Sequence, residues 1–283
     1  MEDRSKSWEE GRPAQGAPSS SSSYPVFEEC LPEPLTRTGK YTVRFARTPE
    51  QLAAIQTLRF EVFNLELGEG LEESFRTGRD EDRFDPVCHH LMVIHNESRK
   101  MVGTYRLQTS TMAETLGGFY SVGEFVLDDL PTDVIENAVE VGRACVAREH
   151  RNRHVLFLLW RGLAAYMDKN KKRFLFGCCS LTSQDPVEGK RVMDHLVSQG
   201  LVHETFTVSP QPDWKCYDEA RPPEVPASDE KVSLPQLFRI YLRYGARVCG
   251  PPAIDRLFKT IDYLIVLDTA DLDPDTRKMF FNK

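Results

Sequence analysis

The chain has 283 residues, of which 40% are hydrophobic and 28% charged, so it can bury a substantial core. Its net charge of −7 argues against a general nucleic-acid binder. No apolar run is long enough to cross a bilayer, and the N-terminus lacks the apolar segment of a signal peptide. The seven cysteines form no Cys-x-x-Cys pair, which predicts reduced thiols in a cytoplasmic protein.

Composition divides the chain into a tail and a folded part. Residues 1–38 are rich in Ser, Pro and Gly, with serines throughout 19–23. Such a segment cannot bury enough apolar surface to offset the entropy of ordering. We therefore predict a disordered tail over 1–38 and a single domain over 39–283, with a helix and a strand added at its C-terminal end.

The first half of the domain predicts a strand, a helix and a strand pair. Residues 41–46 have the composition of a strand. Thr48 is the expected N-cap of a helix with Pro49 as its first residue, and apolar residues then recur at helical spacing. After a charged loop, residues 90–96 and 100–110 predict two strands joined by a short turn.

The second half predicts a strand–helix–strand unit. Strands over 139–146 and 173–181 flank a helix over 155–170, which implies a parallel crossover or a close relative of one. The remaining predicted elements are helices over 185–200 and 234–245 and a strand over 263–268. The expected fold is a mixed α/β sheet with helices packed on it.

Some charged residues lie where core residues are expected. Arg59 follows Ile55 at helical spacing and shares a helix face with Phe63. If its guanidinium is buried it needs an anionic partner, because an unpaired buried charge is very costly. A stem that lies along the core edge with its head in water explains Arg59 equally well. Arg106, in the middle of a predicted strand, also needs a carboxylate if its face is buried.

Glu140 and Arg143 raise a question of strand geometry. On a regular strand, residues three apart point to opposite faces. Both would line one pocket if the strand is bulged between them, and Gly142 makes a bulge easy. A bulge would also free a backbone N–H near Cys145 or Val146, which could polarise a carbonyl or stabilise an oxyanion. The sequence leaves the regular and the bulged strand open.

These patterns together resemble the GNAT superfamily of N-acyltransferases. The resemblance is to the branch with the acyl-homoserine-lactone synthases and the ornithine-lipid enzymes, 3-hydroxyacyl-acyl-carrier-protein:L-ornithine N-acyltransferases. GRDEDRFDPVCHHL (78–91) and YLRYGARVCG (241–250) favour the ornithine-lipid side. The resemblance implies an α/β (α+β) fold: a mixed, mostly antiparallel twisted sheet with helices on both faces.

The resemblance also assigns roles to particular positions. The matched residues are Arg59 and Phe63 in the first helix, Asp82 and Asp85 in the charged loop, Arg106, and the E-x-x-R pair of Glu140 and Arg143. Glu140 is the expected general base or water-mediated proton acceptor. We expect Asp82 and Asp85 to hold the acceptor's ammonium groups, Arg143 or Arg106 its carboxylate, and Arg59 to brace the acids. Phe63 would form part of the wall of the acyl channel.

The chain departs from the family pattern at two places. The tryptophan that follows the first-helix motif in the signal synthases has no counterpart here, since Glu69 lies near that position, and this argues against lactone synthesis from S-adenosylmethionine. The R-x-x-G-x-G/A loop lacks both glycines in RNRHVL (151–156), so side chains should crowd a coenzyme A diphosphate. Residues 147–173 hold eight Lys or Arg and two acids. We therefore expect an acidic acyl carrier protein to dock at Arg148, Arg151 and Arg153.

The expected function is transfer of a fatty, 3-hydroxy acyl group from an acyl-carrier-protein thioester to the amine of an amino acid, ornithine first, in lyso-ornithine-lipid synthesis. The phosphopantetheine thioester, or acyl-coenzyme A, is the co-substrate, and neither metal nor redox cofactor is expected. A signal synthase, another N-acyl amino acid synthase and a non-catalytic acyl-carrier or lipid-binding protein remain alternatives. A covalent route through Cys178 or Cys179 is less favoured, because buried cysteines are usually inert. Arginines in 234–247 would suit contact with the inner membrane face.

Overall fold

Nine strands form one sheet within the computed structural model, which describes residues 24–33, 37–226 and 231–281. The strands are β1 (Arg37–Thr38), β2 (Tyr41–Phe45), β3 (His89–His95), β4 (Met101–Thr109), β5 (Ala138–Val146), β6 (Phe174–Leu181), β7 (Arg247–Val248), β8 (Ala253–Asp255) and β9 (Thr260–Asp268). They lie in the order β1-β2-β3-β4-β5-β6-β9-β7, and β8 pairs with β9. Neighbouring strands are antiparallel except for β5 and β6.

Eight α-helices accompany the sheet in the same described residues. They are α1 (Pro49–Phe60), α2 (Ser74–Thr77), α3 (Ser110–Leu116), α4 (Thr132–Glu136), α5 (Arg153–Asn170), α6 (Pro186–Ser198), α7 (Gln236–Arg243) and α8 (Pro274–Phe281). The helix α5 connects β5 to β6, so the predicted parallel crossover is confirmed. None of the described helices is both long enough and apolar enough to cross a membrane.

The two faces of the sheet carry different helices. Leu91 and Met92 are neighbours on β3 and therefore point to opposite faces. Met92 belongs to a buried cluster with Ile55 of α1, whereas Leu91 packs so closely on α5 that only a glycine fits opposite it at Gly162. The predicted mixed, mostly antiparallel sheet with helices on both faces is confirmed.

The start of α1 follows from its sequence. The Thr48 side chain accepts a hydrogen bond from the Gln51 amide, and Pro49 is the first helical residue, as predicted. The helix then widens into a π-helical turn over Glu61–Glu66, which helical spacing did not predict. This turn begins two residues after Arg59 and carries Phe63 on its buried side.

Part of the predicted tail packs on the domain. The Val26 carbonyl oxygen lies 2.8 Å from His89 Nε2, and Asn170 Nδ2 donates to the Cys30 carbonyl at 2.9 Å. Leu31 is buried in the main core. The prediction of disorder was therefore wrong for residues 24–33, and the rest of the predicted tail up to residue 36 lies outside the described residues. The short strands β1, β7 and β8 and the helix α8 were also not predicted.

The sheet opens between its two parallel strands. Residues 138–140 of β5 pair with 174–176 of β6, and β6 then continues along β9 as far as Leu181. Gly177 lies where the pairing with β5 ends, at a φ of 157°. A Cβ atom there would lie 2.2 Å from the Val141 carbonyl oxygen. The missing side chain thus lets the two strands touch and then separate into a cleft.

Replacement of Gly177 by Ala should destabilise the protein, because the new Cβ would meet a backbone oxygen that cannot rotate away. Overpacking of this kind typically costs about 1–3 kcal/mol, and the positive φ adds strain. Urea denaturation followed by circular dichroism measures the loss. Gly142→Ala on β5 is the matched control, since a Cβ there meets nothing within 4 Å. Equal stability of the two variants would contradict this account of the opening.

Candidate active site

A cavity of about 520 Å³ occupies the cleft between β5 and β6. Helices α5 and α7 contribute apolar side chains to its wall: Leu156, Leu159, Leu237, Phe238, Ile240 and Tyr241. Strands β4, β5, β8 and β9 and the segment after α3 contribute charged ones: Arg106, Glu124, Glu140, Arg143, Asp255 and Asp262. The cavity therefore combines room for an apolar chain with a strongly charged surface.

A bulge in β5 brings Glu140 and Arg143 to this cavity together. Thr104 pairs with Cys145 and Arg106 pairs with Gly142, so one residue of β4 faces two residues of β5. The bulged strand that the sequence left open is the correct alternative. The left-handed residue is Arg143 itself, with a φ of 49°, and not Gly142.

Cys145 and Val146 line the cavity beyond the bulge. Both are again in register with β4, opposite Thr104 and Gly103. Burial raises the pKa of the Cys145 thiol to about 12, so this side chain stays protonated at neutral pH. The donor role of a backbone N–H at these positions stays a prediction.

The Arg59 guanidinium lies in the protein interior with no exposed surface. Its Nε donates to Asp80 Oδ2 at 2.6 Å, and its Nη1 donates to Asp85 Oδ1 at 2.8 Å. Nη2 donates to the Asp80 carbonyl at 2.7 Å and to Asp85 Oδ2 at 3.0 Å. The buried alternative for Arg59 is therefore correct, and Asp80 is an acid partner that the sequence analysis missed.

Asp82 and Asp85 are held by arginines rather than turned toward the cavity. Arg106 Nη1 donates to both oxygens of Asp82, at 2.6 and 2.7 Å, and to Asp85 Oδ1 at 3.0 Å. Burial opposes ionisation of Asp82, but Arg106 and Arg143 outweigh it and lower its pKa to about 2. Neither acid belongs to the cavity wall. Their oxygens already accept hydrogen bonds from guanidinium groups, and a role in holding an acceptor's ammonium groups stays a prediction.

Arg143 is paired much more loosely than Arg59. Its guanidinium lies between two aromatic rings, 4.2 Å from the Phe258 centroid and 4.9 Å from the Tyr120 centroid. Its polar contacts, with Tyr120 Oη, Asp82 Oδ2 and Asp80 Oδ2, are all 3.4 Å long, which is near the limit of a hydrogen bond. Arg143 also lines the cavity, so it retains donors for an anionic ligand.

Glu140 is fixed by the short helical turn over Tyr120–Gly123. The Tyr120 amide donates to Oε2 at 2.7 Å, and the Ser121 amide donates to Oε1 at 2.8 Å. The Ser121 hydroxyl donates to Oε1 as well. Burial raises the Glu140 pKa, and the hydrogen bonds from Ser121 oppose that effect. An oriented carboxylate of raised pKa is well suited to accept a proton.

A second group of acids faces the cavity, and the sequence analysis missed it. Glu124, Asp255 and Asp262 are buried, and one carboxylate oxygen from each lies within 4.8 Å of the others. We call these three residues the acidic trio. A cation or a metal ion could be held there. The available signal was Asp262, which interrupts an otherwise apolar strand.

The predicted donor-binding arginines lie at the start of α5. Arg151 makes a bidentate ion pair with Glu66, at 2.6 and 2.7 Å, and donates to the Val146 carbonyl. Arg148 and Arg153 are exposed and form no ion pair within the described residues. The Asn152 side chain accepts from the amides of His154 and Val155, so the first turn of α5 is capped by its own chain.

Three further candidates from the sequence, Phe63, Cys178 and Cys179, lie at the wall of the cavity. Phe63 lines the cavity edge-on to the Phe258 ring, with 5.7 Å between ring centroids. Cys178 and Cys179 also line the cavity, and burial raises both thiol pKa values far above their usual range.

Comparison with known sequences defines the class of protein. The sequence profile of the acetyltransferase (GNAT) domain family matches residues 58–161, from Arg59 through the bulged strand into α5. Among solved structures, that of the AHL synthase LasI aligns with 11% identity and a TM-score of 0.46, over 86% of this chain and 96% of that one. The chain is an acyltransferase with a GNAT domain.

Relatives over most of the chain define the family. The L-ornithine N(alpha)-acyltransferase of Rhizobium meliloti (strain 1021) is 34% identical over 241 residues, which cover 82% of this chain and 81% of the relative. The protein of the same name from Brucella abortus (strain 2308) is 34% identical over 248 residues, 82% of this chain and 86% of the relative. The chain belongs to the family of L-ornithine N(alpha)-acyltransferases.

Replacement of Arg59 by Leu should cost about 3–5 kcal/mol of unfolding free energy, because it leaves Asp80 and Asp85 charged and buried without their partner. Urea unfolding at neutral pH measures the change. Arg47→Leu is the control, since Arg47 pairs with the exposed Glu28 and such surface pairs contribute at most about 1 kcal/mol. Losses of similar size in the two variants would show that Arg59 is not a structural anchor.

Proposed function

We propose that this protein transfers a fatty acyl group from a thioester to the α-amine of ornithine. The observation that carries the proposal is the single cavity in which an apolar wall adjoins Glu140 and Arg143. The names of the relatives support ornithine as acceptor. The product would be an N-acyl ornithine, and a 3-hydroxyacyl chain would make it a lyso-ornithine lipid.

The acyl donor enters, in this proposal, through the cleft between β5 and β6. The thioester end lies beside the bulge, and the fatty chain extends along α5 and α7, where Leu159 and Phe238 offer apolar contacts. Burial of a long apolar chain supplies binding free energy of about 0.8 kcal/mol per methylene group. A short acetyl group would leave most of this wall uncovered, which is why we favour a fatty acyl donor.

Glu140 accepts the proton of the acceptor's amine. Three donors from Tyr120 and Ser121 occupy the Glu140 carboxylate, which has about four acceptor positions, so at least one remains for the substrate. The neutral amine then attacks the thioester carbon, the C–N bond forms and the C–S bond breaks. The nitrogen loses a further proton as the amide forms, and the released thiolate takes up that proton. Arg143 binds the acceptor's carboxylate, since its own polar contacts are long. The reaction as written needs no metal or redox cofactor.

An acyl carrier protein is the donor that we propose. The exposed Arg148 and Arg153 stand at the start of α5 beside the cavity residues Arg151 and Asn152. Positive charge there suits an acidic partner, and the Asn152 cap occupies amides that a coenzyme A diphosphate would otherwise use. Such a partner would place the enzyme in the cytoplasm. Contact with a membrane would rest on Arg239 and Arg243, because the apolar side of α7 packs into the core.

The experiment that tests this function offers purified protein a 3-hydroxypalmitoyl carrier protein, the matching coenzyme A thioester and a pool of amino acids with S-adenosylmethionine. We expect N-acyl ornithine by mass spectrometry, with the carrier thioester as preferred donor. An acyl-homoserine lactone would identify a signal synthase instead. Folded protein that forms no acyl amine with either donor would support the non-catalytic binding alternative.

Glu140→Gln should lower kcat by about 10²- to 10⁴-fold, because the amide keeps the shape of the side chain but cannot accept a proton from the amine. Steady-state rates of N-acyl ornithine formation measure the effect. Glu204→Gln is the control, since Glu204 is exposed and outside the cavity. A rate for Glu140→Gln within about threefold of the wild type would remove Glu140 from the proton transfer.

Reversal of charge at Arg148 and Arg153, by substitution with Glu, should raise KM for the carrier-bound donor about tenfold at low salt, because favourable charge speeds docking. KM for acyl-coenzyme A should change far less. The matched control reverses Arg161 and Lys169, which are exposed on the same helix nearer its other end. An equal effect on both donors would argue against a carrier-protein surface at this position.

A further inference from the structure

The acidic trio of Glu124, Asp255 and Asp262 has no part in the chemistry described so far. It lines the same cavity as Glu140, yet its members come from three separate segments. Glu124 follows the turn that holds Glu140, Asp255 ends β8, and Asp262 lies in β9. Three buried carboxylates at such short distances repel one another unless protons or a cation intervene.

The polar contacts of the trio leave a buried acceptor atom unused. Asp255 Oδ1 accepts from the amides of Leu257 and Phe258, and Asp262 Oδ2 accepts from the Thr260 hydroxyl at 2.9 Å. Asp262 Oδ1 has no hydrogen-bond partner among the described residues, although its side chain is 97% buried, as the relative exposure of 3% shows. A buried oxygen without a donor is costly unless a ligand supplies one.

Among the described residues, no basic side chain forms an ion pair with the trio. Burial raises the pKa of Glu124 well above its usual range, and Asp262 and Asp255 add to the effect, while the positive charge of Arg143 partly opposes it. Burial likewise raises the pKa of Asp262, to about 6; the neighbouring Ser180 side chain opposes the effect, and the negative charge of Asp255 adds to it. A group with both a positive charge and N–H donors would offset the repulsion between the three carboxylates. It would also donate a hydrogen bond to the unused Asp262 Oδ1.

A chain of polar contacts connects the trio to Glu140. The Ser121 hydroxyl donates to Glu140, the Cys178 thiol lies 3.6 Å from that hydroxyl, and the same thiol donates to Glu124 Oε2 at 3.6 Å. Glu140 and Glu124 both line the cavity, and the side chains of Ser121 and Cys178 connect them. A ligand with two amines could engage Glu140 with one and the trio with the other.

We infer that Glu124, Asp255 and Asp262 bind the side-chain ammonium of a diamino acid acceptor, which leaves its α-amine at Glu140. The inference rests on the proposed function and deepens it, because it assigns the choice of acceptor to named residues. The ammonium offers three N–H donors, which matches the number of carboxylates. A neutral side chain of the same length would leave the trio without a counter-charge, and so would be rejected as a substrate.

The test compares ornithine with 2-aminopentanoate, which lacks only the side-chain amine, as acceptors for the wild type and for Asp262→Asn. The wild type should favour ornithine in kcat/KM by about 100-fold or more. In Asp262→Asn, that ratio should fall by about 10- to 100-fold, the size expected for loss of a charged hydrogen bond. Glu124→Gln should reduce the ratio in the same direction, and serves if the first variant does not fold.

Asp268→Asn is the matched control, since Asp268 lies at the end of the same strand, pairs with Arg173 and is not part of the cavity. Its ratio should equal that of the wild type. An unchanged ratio in both trio variants, or a wild type that acylates the two acceptors equally, would overturn the inference while the proposed function stands. Loss of wild-type activity in EDTA, with recovery on addition of Mg²⁺ or Ca²⁺, would overturn it in favour of a metal site. Wild-type protein that acylates neither acceptor would defeat the proposed function itself.

Discussion

The ion pairs of Arg59 with Asp80 and Asp85 fix the relation between α1, the charged loop and the sheet. Four hydrogen bonds hold the Arg59 guanidinium, which has no exposed surface. Asp85 Oδ1 also accepts a hydrogen bond from Arg106 of β4. Charges in such surroundings are expensive unless every donor is used, so the loop has little freedom to rearrange. This constraint places Asp82 against Arg106 and thereby holds one side of the cavity in position.

Two irregularities in the strands open a cleft beside this rigid set of ion pairs. The bulge at Arg143 adds one residue to β5, which turns Arg143 toward the same side as Glu140. Gly177 allows β6 to touch β5 at the Val141 carbonyl and then to follow β9. A regular ladder in both places would bring the strands together and close the space that the cavity occupies. The geometry of the candidate site thus depends on departures from ideal sheet structure.

The sequence predicted the elements that local signals define. Thr48 and Pro49 marked the start of α1, and the alternation from strand to helix to strand marked the parallel crossover around α5. It did not distinguish Asp80 from Asp82 and Asp85, because the direction of a side chain in a loop follows no periodicity. The packing of residues 24–33 was not predicted, because polar residues dominate the composition of the whole 1–38 segment. The acidic trio was missed because Glu124 is distant in sequence from Asp255 and Asp262, and those two come together only through the pairing of β8 with β9.

Arg106 and Arg143 both line the cavity, but the protein satisfies their hydrogen-bond donors to different extents. Arg106 lies on a regular part of β4 and makes contacts of 2.6–3.0 Å with Asp82 and Asp85. Arg143 has a left-handed backbone, reaches Asp80 and Asp82 only at 3.4 Å and packs on the Phe258 ring. A guanidinium with short, complete contacts gains little from a new anion, whereas one with long contacts gains more. The left-handed backbone at Arg143 therefore accompanies a guanidinium that lines the cavity and has only long polar contacts.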